Sequence, residues 1–130
     1  MRPSLKWGLP VAALFFAAVP AAVQAQAAPA LPTGVTQAMV DQGKTIFAGP
    51  GNCHACHGAE GAGTPFAPKL NDKEWLNIDG SYDAIVKIVT DGVPMPKQSM
   101  MQMQPKGGST INPDQVKAVA AYVWRLSNGL

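Results

Sequence analysis

Apolar residues recur at helical spacing in three stretches of the chain, with Gly- and Pro-rich segments between them. Over 36–48 the repeating positions are Met39, Val40, Gly43, Ile46 and Phe47. Thr36 stands where a cap belongs, and Gly49-Pro50-Gly51 ends the pattern. Over 81–91, Tyr82, Ile85, Val86, Ile88 and Val89 form one stripe, and Gly92 follows at the position of a helix-ending residue. The third pattern has the clearest limits. Asn112 is an N-cap, Pro113 sits in the first turn where its missing N–H costs nothing, and Gln115 is placed for a capping box. Ile111 and Val116 can staple across that cap. Val116, Val119, Ala120, Val123 and Leu126 share a face with Tyr122 at its edge, and Asn128-Gly129 ends the helix. A short helical turn is expected over 72–76. No stretch reads convincingly as a strand and none repeats. The expected class is all-α, with three main helices plus a short one.

Two connections, 58–71 and 93–111, are long for 130 residues. Loops of that length in a small domain are usually functional. A large apolar group seated between them would supply core that they lack.

The first residues read as an export signal rather than as fold. Arg2 and Lys6 are basic, 9–19 is almost wholly apolar, and Val23-Gln24-Ala25 fits a small-x-small cleavage site. Pro10 and Pro20 interrupt the apolar run, which is shorter than the roughly 20 residues of a spanning helix. The expected organisation is a cleaved signal peptide over 1–25, a flexible lead-in over 26–35 and one domain over 36–130. An uncleaved segment that anchors the domain to the membrane is the alternative. The chain carries ten basic and eight acidic residues, for a formal charge of +2. Loss of Arg2 and Lys6 leaves the two signs balanced. That excludes nucleic acid as an expected partner, because phosphate binding needs a basic surplus.

Two cysteines in an exported chain would by default pair with each other. Here they lie in Cys53-His54-Ala55-Cys56-His57, a C-x-x-C-H sequence. Thiols three positions apart can each add to a vinyl group of one haem, and the adjacent His57 is then held at one face of the ring. A redox disulfide wants a strand before the motif and a helix after it, whereas a helix precedes it here and a Gly-rich loop follows. A zinc site would draw all its ligands from five consecutive residues, which is cramped for a tetrahedron. One covalent haem c is the expected cofactor. His54 is assigned no ligand role.

With that motif in view, the chain resembles the class I c-type cytochromes over most of its length. Gly43-Lys44-Thr45-Ile46-Phe47 is similar to the family's first-helix motif, and Tyr122 to the aromatic of its last helix. The resemblance implies a small cytochrome c fold, in which Gly43 permits a close helix crossing and Phe47 packs on Val119 and Tyr122. Pro68-Lys69-Leu70 resembles the family's Pro-x-Leu. It implies that the Pro68 carbonyl accepts the His57 N–H and that Leu70 packs on the haem. Polar aromatics near the propionates are also implied, with Trp75 and Tyr82 as candidates beside their reading as plain core residues.

Met95, Met100, Met101 and Met103 lie in the last long loop, and the only other histidine is inside the attachment motif. A methionine is therefore the expected second iron ligand, which favours the ferrous state. Met103-Gln104-Pro105-Lys106-Gly107-Gly108 resembles the family's ligand segment, so Met103 is the choice, with Gln104 where the family often has Pro. The other methionines are space fillers, a docking surface or, least favoured, a Cu(I) site. The implied function is single-electron transfer, as a periplasmic shuttle or an electron-transfer subunit that docks transiently on redox proteins. The domain would then be no enzyme itself and would take no small-molecule substrate. A haem enzyme or gas sensor with an open iron position is the alternative. It would need acid–base groups, and the Met loop has no histidine or carboxylate.

Overall fold

A computed structural model describes residues 28–129. The export signal expected over 1–25 lies outside the described residues. Four α-helices follow one another: α1 (Gln37–Ala48), α2 (His54–His57), α3 (Tyr82–Asp91) and α4 (Pro113–Ser127). Single 3-10 turns occur at Ala59–Gly61 and Pro105–Gly108. Among the described residues there is no strand. An isolated antiparallel bridge joins Val93 to Met103. No helix among them is long and apolar enough to cross a membrane.

The helix limits follow from local hydrogen bonds. Thr36 Oγ1 accepts from Met39 N at the start of α1, and Ser81 Oγ accepts from Ala84 N at the start of α3. At α4 the capping box is complete: Asn112 Oδ1 accepts from Gln115 N, and Gln115 Oε1 accepts from Asn112 N, each at 2.9 Å. Ile111 and Val116 on either side of the cap are both buried.

The helix expected over 72–76 does not form. Asp72 Oδ1 instead accepts from Glu74 N at 3.0 Å, a local bond that closes a turn in competition with helix. The short fourth helix is α2, inside the C-x-x-C-H sequence.

The α1–α4 crossing organises the core. A Cβ added at Gly43 would lie 1.9 Å from the Ala118 carbonyl oxygen, so the two backbones touch there. Phe47 meets Tyr122 edge to face, with ring centroids 5.4 Å apart. Helix α3 lies against α4 as well, and Tyr82 donates its hydroxyl to the Lys117 carbonyl at 3.2 Å. The buried residues Val40, Ile46, Ile85, Val116 and Ala120 complete one core.

Candidate functional site

The C-x-x-C-H sequence opens off the α1–α4 core. The Gly51 N–H donates to the Ile46 carbonyl, which turns the chain after α1, and His57 N donates to the Cys53 carbonyl within α2. This short helix has almost no length of its own, so other bonds hold it. His57's carbonyl accepts from Gly63 N at 2.7 Å, and the Cys56 carbonyl accepts from the Thr64 hydroxyl. Leu70 N reaches back to the Gly61 carbonyl at 2.8 Å. The long 58–71 loop is thereby tied onto α2 by its own turns.

Cys53, Cys56 and His57 face a common cavity with about 1310 Å³ of space between its walls, the open mouth included. Its inner wall is Phe47 from α1, Ile85, Ile88 and Val89 from α3, and Val119 and Val123 from α4. The 66–78 segment contributes Pro68, Leu70 and Trp75, with Trp75 lying against the bare Cα of Gly80. Met103 closes another part of the wall. All six residues singled out from the sequence, Cys53, Cys56, His57, Pro68, Leu70 and Met103, line this one cavity.

His57 Nδ1 lies 2.9 Å from the Pro68 carbonyl oxygen. A carbonyl can only accept, so Nδ1 carries the proton and Nε2 keeps its lone pair. Burial pushes the His57 pKa below its ordinary value, against a smaller upward pull from the Pro68 carbonyl. A neutral imidazole is the form that binds a metal. Cys53 behaves in the opposite sense to a redox thiol. Burial, with the neighbouring Cys56 adding to it, pushes its pKa up to about 11, and a bond to its own backbone only partly offsets this. Redox C-x-x-C pairs work through a lowered thiol pKa. The two cysteines are not joined to each other. His54 Nδ1 sits 3.3 Å from the Phe47 carbonyl, tied to the end of α1. No group of three His, Cys, Asp or Glu side chains suited to a metal ion occurs among the described residues.

The four loop methionines separate clearly. Met95 is 85% exposed, Met100 79% and Met101 52%, while Met103 is half-buried and packed on the core. Met101 reaches the cavity as well, at its rim with the exposed Phe66. Met103 owes its position to the bridge: Val93 N donates to the Met103 carbonyl at 2.7 Å, and Met103 N donates to the Val93 carbonyl at 3.0 Å. Sequence reasoning missed this bridge, because one pair of residues has no period. Tyr82, a candidate for the propionates, is absent from the cavity wall and spends its hydroxyl on α4.

An apolar cavity carrying two thiols, an imidazole with a free nitrogen and a thioether fits a haem. The profile of the family described as cytochrome C oxidase, cbb3-type, subunit III matches residues 38–123. The chain belongs to this family. It is a c-type cytochrome domain, and its role is electron transfer. The cbb3-type cytochrome c oxidase subunit FixPc of Rhizobium leguminosarum bv. viciae is 37% identical over 79 residues, which are 59% of this chain and 27% of that protein. Subunit CcoP of Rubrivivax gelatinosus is 36% identical over 85 residues, 65% of this chain and 25% of that protein. The matched part of this cytochrome thus spans about a quarter of the length of those relatives. Cytochrome cL of Methylophaga aminisulfidivorans shares the fold, with a TM-score of 0.51 at 19% identity over 68% of this chain and 53% of that one.

Proposed function

We propose that this cytochrome is a single-electron carrier with one covalently attached haem, joined through Cys53 and Cys56 and ligated by His57 and Met103. When bound, the haem supplies a one-electron ferric–ferrous couple. The rest of the work falls to the chain. The two thiols tether the group, and α2 presents His57 beside them. The Pro68 carbonyl keeps the imidazole in one tautomer and strengthens it as a donor. The Met103 thioether favours the reduced state relative to a second imidazole. Phe47, Ile85, Val119 and Leu70 keep water from the cavity, which holds the charge change in a low-dielectric setting.

One observation carries this reading: the His57–Pro68 bond opens onto the same apolar cavity that receives Met103. Optical spectra and a redox titration of wild type and Met103→Ala test it. The wild type should be low-spin with a methionine–ferric charge-transfer band. The variant should lose that band, fall in potential and bind CO when reduced. Unchanged spectra and potential in Met103→Ala would overturn the ligand assignment, and a high-spin, CO-binding wild type would overturn the carrier reading.

The exported location is part of the same proposal, because haem attachment and the sequence of 1–25 agree on the periplasm. Docking would be transient and centred on the cavity mouth, where Phe66 and Met101 are exposed, with Met95 and Met100 exposed on the same loop as Met101. Apolar centres enriched in aromatic residues and methionine are typical of protein contact surfaces. By analogy with the relatives' names, the partner would be an oxidase complex or a redox protein that serves one.

A further inference from the structure

Met103 is held at the cavity by a segment that runs against the end of α3, and the residue it runs against is Gly92. A Cβ added at Gly92 would lie 2.4 Å from the Met103 carbonyl oxygen, 2.8 Å from the Gln104 carbonyl carbon and 2.8 Å from the Pro105 nitrogen. All three are backbone atoms, so no side chain can swing aside to make room. Gly92 also has φ 76 and ψ −171. That combination is essentially confined to glycine. The Gly92 N–H donates to the Ile88 carbonyl, which ends α3, and the next residue, Val93, makes the bridge to Met103.

We propose that Gly92 is the positioning residue for Met103: its bare Cα lets the 103–105 backbone pass close enough for the Val93–Met103 bridge to hold the thioether at the cavity. It touches neither iron nor haem and acts only through Met103. The proposal rests on Met103 being the second ligand. The 93–103 loop between the two bridge residues has no helix or strand of its own, so this one close pass and its two hydrogen bonds define where Met103 sits. With a side chain at 92 the loop must withdraw, and the thioether withdraws with it.

The test compares haem-loaded wild type, Gly92→Ala, Met103→Ala and Gly34→Ala. Gly34 has φ 80 and nothing within 4 Å of an added Cβ, so it controls for backbone conformation without crowding. The readouts are far-ultraviolet helix content, the methionine–ferric charge-transfer band, the midpoint potential and the rate of CO binding to the reduced protein. Gly92→Ala should keep its helices and haem, weaken the band and bind CO about tenfold faster or more, since CO gains access in proportion to the fraction of iron that has lost its thioether. Gly34→Ala should match wild type. Loss of the band in Met103→Ala with wild-type band, potential and CO rate in Gly92→Ala would overturn the proposal alone, even if thermal stability falls. Retention of the band in Met103→Ala would overturn the ligand assignment and this proposal with it. Should Gly92→Ala fail to hold haem, Val93→Pro serves instead. It removes the N–H that holds the Met103 carbonyl, and it should act in the same direction; wild-type spectra there would also overturn the proposal.

Discussion

Gly43 shows how little a single position can concede. It is buried at the α1–α4 crossing, where one added methyl would meet the Ala118 carbonyl oxygen at 1.9 Å and Tyr122 Cβ at 2.8 Å. Both contacts belong to a helix backbone or its first side-chain atom, so relief requires the helices to part. Gly43→Ala should therefore lower stability by about 1–3 kcal/mol, the usual range for overpacking a core. Urea unfolding should show a lower midpoint with little change in slope. Helix propensity alone gives the opposite expectation, since Ala is favoured over Gly inside a helix by roughly 1 kcal/mol. The sign of the effect thus decides between local preference and packing. His57 is the other residue whose chemistry is set by a neighbour. Its motif named it as a ligand, but the tautomer follows from the Pro68 carbonyl eleven positions along the chain.

At the scale of elements, the three main helices were legible because each carries both a stripe and a cap. The α4 start is the best case, with cap, proline and capping box all present. Removing the cap separates helix stability from the site. Asn112→Ala should cost about 1 kcal/mol, read as a lower denaturation midpoint, with the haem spectrum unchanged. The 72–76 segment turns where the sequence predicts a helix, for a physical reason. Asp72 is as competent to close a turn as to start a helix, and its carboxylate takes the Glu74 N–H. Helix α2 is not legible in the sequence, because four residues are too few to show a period. The loop hydrogen bonds from Gly63 and Thr64 stabilise it, and neither announces itself in sequence.

At the scale of the whole molecule, several exposed charges pair with each other, while the large exposed apolar side chains have no such partner on the surface. Ion pairs link Lys44 to Glu60, Lys87 to Asp91 and Lys117 to Asp114, all with exposed side chains that contribute little to stability. The exposed large apolar side chains are Phe66, Met95, Met100 and Met101, and Phe66 and Met101 line the cavity itself. A surface of this kind should govern contact between two haem domains. Replacing Met95 and Met100 together by Gln should slow electron self-exchange of the purified cytochrome several-fold, measured by NMR line broadening in mixtures of its oxidised and reduced forms. The midpoint potential should hold, because Met103 is untouched. An unchanged self-exchange rate would remove these methionines from the docking surface.

The sequence alone determined the C-x-x-C-H motif, the all-α class and the limits of the three main helices. Each of those depends on residues close together in the chain: a five-residue motif, a stripe at helical spacing, a cap beside its helix. It also narrowed the expected second ligand to four methionines, and resemblance favoured Met103. The choice among them is physically a matter of tertiary structure. Gly92 must let a backbone pass, Val93 must bridge to Met103, and the loop must turn Met95 and Met100 outward. Those are contacts between segments ten or more residues apart, and only folding brings them together.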